Sequence, residues 1–167
     1  SPTASGKSLI IYSLVRYYNL LLRDENKKIL ILVPTTSLVE QMYSDFLDYG
    51  WLEYHMQKIY QGHDKKVEKD IVISTWQSIY KMPKKYFEQF GCVFGDEAHL
   101  FKAKSLTSIM TKLHLCKYRF GLTGTIDGTQ THRLVLEGLF GSLNKVVSTK
   151  ELIDKKTLAD FKIRCLV

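Results

Sequence analysis

Two short stretches of this sequence carry complementary chemistry: "ASGKSL", residues 4–9, and the acidic pair in "CVFGDEAH", residues 92–99. A Gly-Lys-Ser that opens a helix turns backbone N–H groups and the positive end of the helix dipole toward an anion. The loop Ala4, Ser5, Gly6, Lys7, Ser8 and Leu9 is therefore a candidate cradle for nucleotide phosphates. Within it Lys7 would reach the β- and γ-phosphates, and Ser8 would offer its hydroxyl to Mg²⁺. Taken alone the loop also reads as a surface turn that happens to contain Gly-Lys-Ser. The general pattern asks for glycine where Ser1 stands, and its Gly-x-Gly-Lys version asks for one where Ala4 stands. The second stretch shifts the weight, because it ends an apolar run in Asp96 and Glu97. A phosphate loop needs a carboxylate on a neighbouring strand to hold Mg²⁺, and hydrolysis needs a second one to orient or deprotonate the attacking water. An isolated Asp-Glu pair is commonly a helix cap or a solvated turn. Behind an apolar strand and downstream of Gly-Lys-Ser, it reads as the other half of a nucleotide site.

These residues require a scaffold that brings the start of a helix to the end of a strand. From Ser8 to Leu22 apolar side chains recur at Ile10, Ile11, Leu14, Val15, Tyr18, Leu21 and Leu22, the spacing of a helix with one buried face. After the polar "RDENKK", the run "ILILV" is apolar without alternation, as in a parallel strand covered on both sides. Ser37 and Glu40 resemble a capping box for a second helix, carrying Leu38, Met42, Phe46 and Leu47 and ending at Gly50. Further along, residues 56–60, "IVIS", "CVFGD", "YRFGLTG" and "FKIRCLV" read as strands. The stretch from Trp76, interrupted by Pro83, reads as helical, as do "SLTSIMTKLHL" and "RLVLEGLFG". Strands alternating with helices specify an α/β fold: a mainly parallel sheet with helices on both faces. In such sheets ligands gather at the carboxyl ends of the strands. The loops there include Pro34, Thr35 and Thr36 after "ILILV", and Ser74, Thr75, Trp76 and Gln77 at the end of "IVIS". Hydroxyls and N–H groups at such helix starts grip nucleic-acid phosphates without reading bases. Trp76 has two readings, stacking on a base or sugar and packing in the core.

The remaining composition is that of an ordinary globular chain. At 167 residues it is long enough for one domain with its own core, and 45% apolar with 25% charged residues excludes disordered and fibrous classes. No run approaches the length of a membrane span, and no signal peptide precedes the first motif, so an intracellular, cytoplasmic protein without a membrane partner is expected. Cys92, Cys116 and Cys165 are odd in number and lack ligand spacing, so neither zinc nor a disulfide framework is expected. The net charge of +7 fits a polyanionic partner. Each lysine cluster, Lys65-Lys66, Lys81 with Lys84-Lys85, and Lys102 with Lys104, also reads as solvated surface.

Gly6-Lys7-Ser8, "DEAH" at 96–99 and "LTGT" at 122–125 resemble motifs I, II and III of a superfamily 2 DEAH-type helicase. "VPTTSLVEQ" (33–41) and "ISTWQSI" (73–79) resemble motifs Ia and Ib. Five motifs in the family's order cover the chain from residue 2 to about residue 150. More narrowly, the sequence is similar to the recombination helicases of bacteriophages. The resemblance implies the first of two RecA-like motor domains, spanning 1–167, with ATP and Mg²⁺ as cofactors. Lys7 and Ser8 take the phosphate and Mg²⁺ positions, Asp96 the Mg²⁺ carboxylate, and Glu97 the residue that activates water. His99, Thr123, Gly124 and Thr125 take positions coupling nucleotide to the strand-binding surface, and each also has a bland reading as a cap or a local hydrogen bond. Three positions depart from the pattern: Ala4, Gly95 interrupting the strand before the acidic pair, and Ile126 where related branches carry proline.

The implied partners are DNA, branched or single-stranded, RNA as a second possibility, and the second motor domain of the same parent chain. In a phage-encoded protein the compartment is the bacterial host cytoplasm. The strand feeding the phosphate loop is expected before Ser1 and the second domain after Val167. Since that domain supplies an arginine worth ~10³ to 10⁵ in rate, the chain alone is expected to turn over ATP negligibly. Two other readings stand. A P-loop kinase or phosphotransferase shares "SGKS" but has no use for "DEAH" followed by "LTGT". A non-catalytic nucleic-acid-binding module on a helicase scaffold has no use for intact Lys7, Asp96 and Glu97.

Overall fold

The computed structural model describes residues 6–97, 103–123 and 138–140. Its elements alternate as the sequence patterning predicts: α1 (Lys7–Leu22), β1 (Lys28–Val33), α2 (Thr36–Asp48), β2 (Met56–Ile59), β3 (Ile71–Thr75), α3 (Trp76–Ile79), α4 (Lys84–Phe87), β4 (Phe90–Gly95), α5 (Ala103–Lys112) and β5 (Tyr118–Gly121). All five strands are parallel, in the order β2-β3-β1-β4-β5. Their carboxyl ends therefore lie in a row along one edge.

β1 is the hub, with Ile31 opposite Ile73 on one side and Phe94 on the other. Side chains alternate between faces along each strand, and the core divides accordingly. Ile29, Ile31, Val33, Ile73, Cys92 and Phe94 pack under α1 and α2 through Ile11, Val15, Leu22, Val39, Met42 and Phe46. Leu30, Leu32, Val72, Val93 and Phe90 pack under α3, α4 and α5 through Trp76, Ile79, Phe87, Leu106, Ile109 and Met110. Burial on both faces is why "ILILV" shows no polar alternation.

The details differ from the sequence reading in three places. Ile10 and Leu21, expected on the buried face of α1, are each 47% exposed. The stripe that meets the sheet is centred on Ile11, Val15 and Leu22, and at 3.6 residues per turn Ile10 and Leu21 fall about 100–120° from its centre. α2 is capped by Thr35, whose Oγ1 accepts from the Leu38 N–H at 3.3 Å, rather than by Ser37 and Glu40. The chain turns directly out of β1, so the helix begins two residues earlier than the capping-box pattern implies. Gly95 does not interrupt β4; it is the last residue of the strand and pairs with Leu32 and Gly121. Pro83 divides the stretch after β3 into α3 and α4 as expected, standing as N-cap of α4 at φ −67°. The expected helix at 133–141 lies outside the described residues except for 138–140, which are helical, and the expected strand at 161–167 lies wholly outside them.

Candidate functional site

The site forms where the amino end of α1 meets the carboxyl end of β4. Gly6 precedes α1 at φ 64° and ψ 11°, a left-handed conformation open to glycine without a Cβ penalty, and its carbonyl accepts the Ile10 N–H at 3.0 Å. Lys7 follows as the first helical residue. On the other side, the Asp96 N–H donates to the Leu32 carbonyl at 2.9 Å, carrying the β1–β4 ladder one step past the strand. The neighbouring Leu122 N–H donates to the Gly95 carbonyl at 2.8 Å. Below the acidic pair, Phe94 stacks on Phe120 with centroids 5.0 Å apart, and Tyr18 of α1 closes over both.

Lys7, Asp96 and Glu97 converge. Lys7 Nζ donates to Glu97 Oε1 and lies 4.0 Å from Asp96 Oδ1. Asp96 is buried, and its Oδ1 accepts the Glu97 N–H at 3.0 Å. Glu97 holds φ at 48°, a conformation that costs a residue with a Cβ about 1–2 kcal/mol. Such strain concentrates where surrounding structure fixes a functional side chain.

A small cavity of about 50 Å³ joins Lys7, Ser8, Asp96 and Glu97 to Leu38, Gln41, Met42 and Asp45 of α2. Ser8 Oγ stands 3.0 Å from the Tyr49 hydroxyl at the end of the same helix. Asp45 and Tyr49 are missing from the sequence reading, and Gln41 enters it only as the end of the stretch 33–41, with no role of its own. Their one signal is the four-residue spacing, which on an amphipathic helix looks like a solvated face. The donors here are hard oxygens, Ser8 Oγ and the Asp96 carboxylate, and among the described residues no three or more His, Cys, Asp or Glu side chains group as metal ligands. A donor set this sparse suits Mg²⁺, which keeps waters and shares itself with phosphates rather than filling an all-protein cage. Two free thiols, Cys92 and Cys116, are buried in the core. Burial pushes the Cys116 thiol up to about 11 and Cys92 further still, so both stay protonated at neutral pH.

The second candidate surface lies further along the sheet edge. Thr35 and Thr36 are exposed beyond β1, while Pro34 is buried. Gln77, exposed overall, donates from Nε2 to the Pro34 carbonyl at 3.0 Å and so ties the two loops together. Ser74 and Thr75 are buried. Ser74 Oγ donates to the Ile59 carbonyl at 2.8 Å, and Thr75 Oγ1 pairs with Ser78 Oγ at 2.7 Å. Trp76 is 8% exposed and belongs to the core beneath α3, the packing reading of the two. Beside these residues Lys65, Gln77, Ser78, Tyr80, Lys81 and Ser105 shape a groove of about 510 Å³. Two lysines that read as solvated surface thus converge on the loop after β3. Leu122 and Thr123 follow β5 on the same edge, whereas Ala4, Ser5, His99, Gly124, Thr125 and Ile126 lie outside the described residues.

Residues 1–128 match the family described as the type III restriction enzyme, res subunit. The chain is 39% identical over 170 residues to the ATP-dependent DNA helicase uvsW of Enterobacteria phage T4, covering 99% of this chain and 33% of that protein. It is 28% identical over 165 residues to the DNA 3'-5' translocase XPB2 of Sulfurisphaera tokodaii, covering 99% of this chain and 35% of that one. It therefore spans about a third of the length of these curated relatives. A crystal structure of T4 UvsW superposes with a TM-score of 0.76 at 40% identity, covering 90% of this chain and 31% of that chain. No helix among the described residues is long and apolar enough to cross a membrane.

Proposed function

The chain belongs to the type III restriction enzyme res subunit family, a helicase family, and from that premise we propose that residues 1–167 form the first RecA-like motor domain of an ATP-dependent helicase. One observation carries the reading: a lysine at the start of α1 meets two carboxylates at the end of β4. Nucleotide-dependent chemistry needs that pairing, and a surface turn does not.

In this reading Gly6 and the first N–H groups of α1 bind phosphate, helped by the positive end of the helix dipole. Lys7 turns from Glu97 to a phosphate oxygen as the nucleotide enters. Glu97, freed of that pair, orients the attacking water and takes its proton, while Ser8 and Asp96 would hold Mg²⁺. When bound, that ion neutralises phosphate charge and fixes the reacting oxygens. Thr35, Thr36 and Gln77, with Lys65 and Lys81 along the groove, contact the nucleic-acid backbone. His99, Thr123, Gly124 and Thr125 link that surface to the nucleotide. A second RecA-like domain of the parent protein supplies the cation that completes the site. Similarity to the phage T4 helicase supports DNA as the substrate, with branched DNA as the form to test first.

The test uses the full-length parent protein. Lys7→Ala and Glu97→Gln are each expected to lower DNA-stimulated ATP hydrolysis by at least ~10²-fold, the scale for removing one preorganised charge-stabilising group, and to abolish unwinding of a branched duplex. Hydrolysis retained in either variant would refute the assignment. Phosphate transfer from ATP to a small acceptor would favour a phosphotransferase. DNA binding that falls with salt but ignores ATP, in a protein without hydrolysis, would favour a binding module.

A further inference from the structure

The metal ligand proposed on α1 has a partner that the motifs do not assign. Ser13, five residues further along α1, bonds back to the Leu9 carbonyl at 2.9 Å, the usual habit of a serine inside a helix. Ser8 is the second residue of α1, and its hydroxyl meets the Tyr49 hydroxyl at 3.0 Å.

Tyr49 is itself held. Its N–H donates to the Asp45 carbonyl at 2.9 Å, and its carbonyl accepts the Tyr12 hydroxyl at 2.6 Å. Its ring meets the Tyr12 ring edge-on at 5.2 Å. Tyr12 is nearly buried, packed against Phe46 and Trp51 at 5.4 and 5.8 Å. The phenol is thus a fixed backstop on α2 facing a hydroxyl on α1.

From this geometry we infer that Tyr49 is a positioning residue for Ser8. It holds the Ser8 hydroxyl in the rotamer that presents a lone pair to a divalent cation. A tyrosine hydroxyl both donates and accepts. With Ser8 Oγ on a cation, its lone-pair density is drawn to the metal, which makes Ser8 the better donor and the poorer acceptor in that hydrogen bond. Ser8 then donates to Tyr49, and its lone pair is left for the metal. The inference rests on the reading of Ser8 as a metal ligand.

The experiment uses the full-length protein with Mn²⁺ as the probe, its binding followed by electron paramagnetic resonance in the presence of ADP, so that no turnover is needed. One neutral hydrogen bond at a partly exposed site sets the scale. Tyr49→Phe, checked for an unchanged near-ultraviolet circular dichroism spectrum, is expected to weaken Mn²⁺ binding about three- to tenfold. In a Ser8→Ala background the same change is expected to have no further effect, because Tyr49 acts through the hydroxyl already removed. Equal Mn²⁺ affinity in Tyr49→Phe and wild type, with Ser8→Ala weakened, overturns this inference alone. Equal weakening in both backgrounds also overturns it, since a loosened helix pair would act without Ser8. Unchanged binding in Ser8→Ala overturns the reading of Ser8 and this inference with it.

Discussion

Glu97 is the proposed water-activating residue and is also held at φ 48°, which permits a test on the chain as it stands. Glu97→Ala and Glu97→Gly both delete the carboxylate and its ion pair with Lys7, so the difference between them isolates the backbone. At an ordinary position glycine is less favourable than alanine by about 0.5–1 kcal/mol, because it loses more freedom on folding. In the left-handed region a Cβ costs about 1–2 kcal/mol, and glycine escapes that cost. Mid-range, these leave Glu97→Gly more stable than Glu97→Ala by roughly 0.5–1 kcal/mol. Glu88, at φ −66°, supplies the control, where alanine should be the more stable by about 0.5–1 kcal/mol. The assay is urea denaturation followed by far-ultraviolet circular dichroism, with equal slopes required before midpoints are compared. In a chain of this length a difference of 1 kcal/mol also moves the melting temperature by about 2–4 °C. If Glu97→Ala equals or exceeds Glu97→Gly while Glu88 shows the ordinary order, Glu97 is not held left-handed and the strain reasoning fails.

Two further outcomes concern the scaffold. A Cβ at Gly91 would lie 2.7 Å from Leu22 Cδ2 and 2.8 Å from Lys27 Cβ. The leucine tip can turn aside but the lysine root cannot, so Gly91→Ala should destabilise the chain by about 1–3 kcal/mol in the same urea assay; an unchanged midpoint would refute the packing of the α1 end on β4. The Tyr86 hydroxyl is buried without a hydrogen-bond partner among the described residues, and burial raises its pKa from 10.0 to about 12. A raised folded pKa contributes stability present below pH 10 and lost as pH rises through 12. Because the buried hydroxyl is unpaired, Tyr86→Phe should be stabilising by about 1 kcal/mol at neutral pH, and without the titrating group it should show a shallower alkaline decline between pH 10 and 12. A decline as steep as wild type would show that Tyr86 does not contribute.

The strands were legible because burial on two faces leaves no room for polar alternation, and "ILILV" and "IVIS" announce that directly. The pair formed by Lys7 with Asp96 and Glu97 was legible for a different reason, since parallel topology brings helix starts and strand ends to the same edge. What escaped the sequence belongs to tertiary placement. Ser74 stands beside a loop that faces solvent, yet its hydroxyl turns to the Ile59 carbonyl, and of the two readings the sequence left open for Trp76 the ring takes the core. Gln41, Asp45 and Tyr49 look like the wet side of α2 until α1 is laid across them. Thr35 caps α2 because the chain leaves β1 immediately, a matter of loop length that propensity does not encode.

The joints along the sheet edge share a property that bears on how such a domain diverges. Gln77 reaches the carbonyl of Pro34, and the amide of Asp96 reaches the carbonyl of Leu32. In both the acceptor is backbone, present whatever side chain occupies the position. Substitution at Pro34 or Leu32 therefore need not cut the connection, provided that the main chain keeps its course. Lineages can exchange the side chain on the acceptor side of either joint and keep the joint, whereas loss of the Gln77 amide would cut the first.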